Sequence, residues 1–438
     1  MAPASQRPEG VPMDEPFPAT GDDRPVRVLA TGPEADPYAL YEEMRAEGLV
    51  HHVREPNGLH RWLVLDYAEA REIFADARFS KDPARAWEQL RDAGYVSGEP
   101  GDRADYLYHV ANTDPPDHTR LRKLIGKGFT TRRVEAMRPR IREVAAGLLD
   151  RMETAETGTV DLVDVYSHPL ATTVMCEILG IPALDRESFR TWATAILSPP
   201  EAAARGMMSK AEGYAAMRAF FTDLIGQKRA AVHDGPAPAD VLSALIHATD
   251  DGDQLTETEL VSTVMLLMSA GQEPTVNLIN NGALALMNHP EQLALLRDKP
   301  ELTRGAVEEF LRYDPPVQLS TTRVAVEDVE VAGTVIPAGA IVALSIAAAG
   351  RDENRFADAD RLDVTRDDNP HLAFGHGIHH CVGAPLARVQ GEIGIGMLIE
   401  RFPRLSLACP AEDLRWRPTR IMRGLVELPV RLDTPPGR

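Results

Sequence analysis

Apolar residues recur at three- and four-residue spacing over residues 39–46 and 67–75, which predicts two short helices. Between them, Val50 to Val53 and Trp62 to Leu65 flank Pro56-Asn57-Gly58, the pattern of a β-hairpin. Residues 77–110 lose this periodicity and scatter Gly and Pro, so a long lid or binding loop is expected there. Helical spacing returns from Asp117 to about Val232, punctuated by Gly158, Gly180-Ile181-Pro182 and Ser198-Pro199-Pro200. The strongest signal spans 256–288. Thr256 and Glu259 form a capping box and His289-Pro290 a stop. Such a helix would be about 50 Å long. Its residues 264–268 are all apolar, and a helix apolar on every side belongs in the middle of a core. A further helix at 302–313 ends at Asp314-Pro315-Pro316, after which the period changes to two over 324–346. A last helix follows Pro385. The pattern is mainly α with a small β region.

Composition narrows the class. The 438 residues carry 47 Lys and Arg against 66 Asp and Glu, a net charge of −19. At roughly one domain per 150 residues the length suggests three domains. No repeat or Gly/Ser linker divides the chain, however, so residues 26–438 are expected to form a single unit. Residues 1–25 contain six prolines and little periodicity and are expected to be a disordered arm. The acidic balance argues against nucleic acid or an anionic membrane as partner. Cys176, Cys381 and Cys409 are too few and scattered for a disulfide framework. The most apolar run is too short to span a bilayer. A cytoplasmic location is expected.

The sharpest chemical feature is Phe374-Gly375-His376-Gly377-Ile378-His379-His380-Cys381-Val382-Gly383. Three glycines just before a helix indicate a backbone that turns tightly or presses on something flat. Cys381 precedes the helix, where N–H groups and the helix dipole favour a thiolate. Three readings fit: a glycine-rich turn around a buried cysteine, a zinc site from His376, His379, His380 and Cys381, or a single thiolate ligand to haem iron. The last uses every part of the pattern.

This segment resembles the F-x-x-G-x-H-x-C-x-G haem signature of the cytochromes P-450, and supporting motifs extend the resemblance over about residues 26–432. The resemblance implies a b-type haem with Cys381 as axial iron ligand, and Phe374, Gly375 and Gly383 framing it. Asp114-Pro115-Pro116-Asp117-His118-Thr119-Arg120-Leu121-Arg122 is similar to the start of the family's propionate-binding helix. His118 and Arg122, at i,i+4, share a helix face and can donate to a carboxylate; by family position Arg323 and His379 complete the set. Glu309 and Arg312 match the E-x-x-R element, a structural lock that the family closes with a third arginine, for which Arg361 is the match. Residues 120–142 hold nine Lys or Arg and only Glu135. The resemblance makes this a docking surface for an acidic ferredoxin, itself served by a reductase.

One element departs from the family. The A-G-x-[D/E]-T turn, where an acid and an alcohol deliver protons to dioxygen, reads Ala270-Gly271-Gln272-Glu273-Pro274-Thr275. Glu273 supplies the acid, but Pro274 replaces the alcohol, and proton delivery then falls to water, Thr275 or a substrate hydroxyl. A proline within a helix also forfeits a bond to the carbonyl four residues earlier. The implied activity is a haem-thiolate monooxygenase using O2 on a small organic molecule such as a secondary-metabolite intermediate. Oxidative C–C, C–N or C–O coupling is the alternative, and a catalytically silent haem-fold accessory protein a third reading. Pocket positions by family place are 82–108, 184–212, 267–274, 317–321, Ile421 and Met422, which are mostly apolar.

Overall fold

Asp66 accepts hydrogen bonds from the backbone N–H groups of Ala68 and Glu69 and so starts helix α1, Tyr67–Ala75. Six further helices position the site: α2 (Asp117–Gly128), α3 (Arg138–Glu153), α4 (His168–Leu179), α5 (Glu257–Asn288), α6 (Thr303–Tyr313) and α7 (Ala384–Arg401). The structure is a computed structural model and describes residues 26–432 apart from 29–35, 56, 97–106, 156–157, 183–185, 198–207, 232–239, 251 and 418. The arm expected at 1–25 lies outside the described residues, as do parts of the expected pocket segments 82–108 and 184–212.

The capping box closes at the head of α5. The Glu259 N–H donates to the Thr256 hydroxyl at 3.3 Å and the Thr256 N–H to the Glu259 carboxylate at 2.8 Å. The helix runs unbroken through Pro274. It packs on α4 and α7, and Val264, Met265, Leu267, Met268, Val276, Leu278 and Ile279 are all buried in the main core. Extensive packing along the helix lets tertiary contacts outweigh the one backbone bond that proline removes. Among the described residues no helix is long and apolar enough to cross a membrane.

Beside the helices lies a mixed six-stranded sheet, in the order Arg27–Val28, Val50–Arg54, His60–Val64, Ile341–Leu344, Arg323–Ala325, Phe79–Ser80. The expected hairpin is present, with Val50 opposite Val64. The β region at 324–346 divides in two. Arg323–Ala325 and Ile341–Leu344 join this sheet, the latter parallel to His60–Val64, while Val329–Val331 and Thr334–Ile336 form a separate hairpin. The described part of 77–110 is less irregular than expected. Helix Trp87–Asp92 lies there, and Ala86, Trp87, Leu90 and Ala93 are buried, a helical spacing too brief to stand out among the charges around it.

At α6, Glu309 and Arg312 are both completely buried and paired at 2.7 Å. Arg312 spends its other donors on the carbonyls of Gly350, Ala359 and Arg361. The third arginine is Arg366, whose Nε reaches Glu309 at 3.1 Å, and the expectation of Arg361 is corrected. Arg361 contributes only its carbonyl; its side chain is on the exposed side of the turn that delivers that carbonyl.

Candidate functional site

The cysteine loop closes through the Cys381 N–H, which donates to the Phe374 carbonyl at 2.9 Å. Gly375 and Gly377 take φ of 70° and 73°. At Gly377 a Cβ would stand 3.0 Å from both the Phe74 carbonyl oxygen and the Ala75 Cα, so the end of α1 presses on the loop where only glycine fits. Burial pushes the Cys381 thiol up, while N–H groups of Gly383 and Ala384 at the head of α7, with Arg122 and Arg388, pull it partly back. The residue is nevertheless solvent-accessible. Cys176 is buried in the main core and Cys409 packs against it. Arg388 lies 4.5 Å over the Phe374 ring and binds Glu308 of α6 at 2.8 Å, which ties loop, α6 and α7 together.

Four basic residues named from the sequence converge beside this loop. The His118 and His379 rings are 4.2 Å apart, and Arg122 donates to the His380 carbonyl at 2.6 Å. His379 is pushed down to about 2, first by burial and then by His118, Lys81, Arg323 and Arg122. Burial lowers Arg323 to about 10, with only Asp114 opposing. Both ring nitrogens of His118 and the Nε of Arg323 are buried without a hydrogen-bond partner. The carboxylate of Asp114 is already engaged by the Ser80 hydroxyl and the Lys81 N–H. This is a cluster of basic side chains in which buried nitrogens of His118 and Arg323 have no partner, and an anion with several oxygens would complete it. Lys81 itself escaped the sequence reading. It is buried, with Nζ 2.7 Å from the Thr321 hydroxyl and the Thr322 carbonyl, but one lysine in a loop carries no pattern.

One sulfur flanked by N–H donors, glycines that let the loop turn tightly, and an unpartnered histidine and arginine beside it fit a haem with its thiolate ligand and two propionates. The zinc alternative does not fit. Among the described residues no three His, Cys, Asp or Glu side chains converge as a metal site, so His376, His379, His380 and Cys381 do not share a centre.

On α5 the proton-delivery turn has two sides. Ala270 is accessible and Pro274 half-buried, whereas Gln272, Glu273 and Thr275 are buried. Thr275 donates its hydroxyl to the Gly271 carbonyl at 2.9 Å, and Gln272 donates to the Thr172 hydroxyl of α4 at 2.6 Å. Glu273 Oε1 pairs with Arg417 Nη1 at 2.9 Å, a partner no sequence pattern announced. The expected pocket segments 317–321 and 421–422 are adjacent: Val317 forms a β-bridge with Met422, and the Gln318 N–H donates to the Ile421 carbonyl at 2.8 Å.

The basic segment 120–142 is partly neutralised by its own chain. Arg120 binds Asp253 and Glu259, Arg138 binds Glu135 and Glu392, and Arg140 binds Glu143 and Glu177.

The sequence profile of cytochrome P450 matches residues 92–413. Cytochrome P450 monooxygenase PikC of Streptomyces venezuelae is 46% identical over 399 residues, which is 91% of this chain and 91% of that protein. The tirandamycin C-bound P450 monooxygenase TamI superposes with a TM-score of 0.82 at 41% identity, covering 93% of this chain and 100% of TamI. The cytochrome P450 enzyme CxnD, for C–S bond formation in chuangxinmycin biosynthesis, superposes with a TM-score of 0.82 at 37% identity, covering 93% and 97%.

Proposed function

The chain belongs to the cytochrome P450 family, and from that premise we propose that it is a haem-thiolate monooxygenase that oxidises a neutral, fairly large secondary-metabolite intermediate with O2 and electrons from a ferredoxin. The observation that carries the reading is the cluster of His118, Arg323 and His379 beside Cys381, in which buried nitrogens of His118 and Arg323 have no partner and would be completed by an anionic group. When bound, the haem supplies oxidative chemistry on dioxygen, and its thiolate ligand favours O–O cleavage. The chain's own residues do the rest. Cys381 would hold the iron, with the N–H groups of Gly383 and Ala384 favouring its thiolate against the burial that opposes it. His118, Arg122, Arg323 and His379, joined by Lys81, would hold the propionates. Glu273 would hold the proton to be delivered, and the apolar residues Ala270, Val317 and Met422 would wall the substrate.

Pro274 has no donor, and the Thr275 hydroxyl is committed to Gly271, so ordered water or a substrate hydroxyl would carry the last proton step. That same feature favours a second reading, oxidative coupling without oxygen insertion, and CxnD shows that a relative with this architecture forms C–S bonds.

For the redox partner, charge steering is the physical argument. With Arg120, Arg138 and Arg140 held by their own acids, the outward charge narrows to the remaining cations, including exposed Arg132 and Arg142.

Carbon monoxide added to the reduced protein tests the assignment: the complex should absorb at the red-shifted position that gives the family its name. Cys381→Ala should abolish that band, while Cys176→Ala and Cys409→Ala should leave it. A band at the unshifted position in fresh, folded protein, or colourless protein, refutes the proposal.

A further inference from the structure

Strands Val50–Arg54 and His60–Val64 pair antiparallel, and their register sets His52 opposite Trp62 and Arg54 opposite His60. Opposed residues share one face of a sheet, and their diagonal neighbours stay within reach of long side chains. His52 and His60 are such a diagonal pair. Where this face enters the core, Val50, Trp62 and Val64 are buried together. Toward the turn it carries His52, Arg54 and His60, all half-buried.

His52 Nε2 and His60 Nδ1 are 3.1 Å apart and share a hydrogen bond. Two nitrogens at that separation, each about 2.0–2.1 Å from one ion, subtend roughly 100° at it. Tetragonal Cu(II) or Ni(II) and tetrahedral Zn(II) accept such a cis angle. The ring planes are inclined at 43°, so the two imidazoles meet at an angle. His52 lies flat on Trp62, with centroids 5.0 Å apart and planes within 11°. Trp62 is buried, so the core itself fixes the orientation of the first imidazole. Burial, and then the charge of Arg54, push His60 below its ordinary value. Its ring is therefore neutral near pH 7 and keeps the lone pair that a metal needs.

We propose that His52 and His60 form a two-histidine site for a divalent transition-metal ion, tightest for Cu(II) and separate from the haem centre. Without metal, one ring donates its N–H to the other. On binding, the donor ring carries that proton on its other nitrogen, so both facing nitrogens present lone pairs and the pair loses no proton. Among the described residues no third His, Cys, Asp or Glu joins them, so water fills the remaining positions. Imidazole suits Cu(II) and Ni(II) and disfavours Mg(II), which takes oxygen ligands. Arg54 on the same face opposes a cation, which makes the site exchangeable rather than permanent. Bound metal clips the two strands where their pairing ends and stabilises the folded hairpin by mass action.

The holoprotein, without an affinity tag and cleared of metal other than haem iron, is titrated with Cu(II), Ni(II) and Mg(II). Wild type is compared with His60→Gln, His52→Gln and His52→Phe, the last keeping a ring on Trp62. Calorimetry should give one tight Cu(II) per chain, weaker Ni(II) and no Mg(II). Two chelating rings hold an ion far better than one, so each variant should bind Cu(II) roughly a hundredfold more weakly. The copper electron paramagnetic resonance signal, taken as the difference from copper-free protein, should show two nitrogen ligands in wild type and at most one in each variant. Cu(II) should raise the thermal midpoint of wild type and leave those of the variants unmoved. The carbon monoxide spectrum of each reduced protein, recorded before copper is added, checks that the haem site is intact. Wild-type affinity in His52→Phe and His60→Gln would put the metal elsewhere and overturn the proposal. A wild-type signal with a single nitrogen ligand overturns it as well, and that result depends on no variant folding.

Discussion

Replacing Arg312 by Met should be among the most damaging single changes outside the haem site, because of what the arginine leaves behind. Arg312 donates twice to Glu309, at 2.7 and 2.8 Å, and once each to the carbonyls of Gly350, Ala359 and Arg361. Without it the buried Glu309 carboxylate keeps only the Asp363 N–H at 2.8 Å, Asn369 and Arg366 at 3.1 Å each, and three carbonyls lose a donor. Breaking a fully buried pair from one side costs about 3–5 kcal/mol. Arg366→Met removes a single bond from a carboxylate that keeps Arg312, and should cost about 1–2 kcal/mol. Arg361→Met removes an exposed side chain whose carbonyl is the part in use, and should stay within about 0.5 kcal/mol. Urea unfolding followed by far-UV circular dichroism should give midpoints in the order Arg361→Met, Arg366→Met, Arg312→Met, from highest to lowest. A loss below about 1 kcal/mol for Arg312→Met, or Arg361→Met as harmful as Arg366→Met, would refute the network drawn from the structure.

Burial raises the Glu308 carboxyl, but hydrogen bonds and charge from His371 and Arg388 outweigh it and hold the group at about 2 instead of 4.5. A depressed acid stabilises the fold above its ordinary range, so Glu308→Gln should cost up to about 3 kcal/mol near neutrality. The gap to wild type should close as pH falls from about 4.5 toward about 2; a gap independent of pH in the unfolding midpoints refutes this. Arg132→Glu should raise the Michaelis constant for ferredoxin at low salt and leave peroxide-driven turnover unchanged, and added salt should shrink the difference as screening reaches about 8 Å at 0.15 M. Equal losses by both routes would make the patch structural. Pro274→Thr restores an N–H for the Ala270 carbonyl and a hydroxyl at the turn, so peroxide leakage per electron pair should fall most with poorly fitting substrates. Unchanged leakage with every substrate would leave Pro274 as a helix irregularity alone.

Much of this was legible in the chain itself. Period, capping and stop signals set α5 almost to the residue, because Thr256, Glu259 and His289-Pro290 act through local backbone chemistry. The cysteine loop was legible for the same reason. Its glycines and the placement of Cys381 before a helix are local requirements, and α2 brings His118 and Arg122 to one face by helical spacing alone. Only tertiary structure decided which distant groups meet. The sequence pointed to Arg361, but the turn that returns over α6 gives Glu309 the side chain of Arg366 and Arg312 the carbonyl of Arg361. Lys81 and Arg417 belong to no motif, yet sheet closure carries the first to the basic cluster and the C-terminal segment lays the second on Glu273. The apparent basic stripe at 120–142 lost part of its outward charge to acids far along the chain, Glu177, Glu259 and Glu392. Local conformation depends on neighbours a few residues away, whereas ion pairing depends on separations in space, and those are fixed only when the helices and sheet have packed.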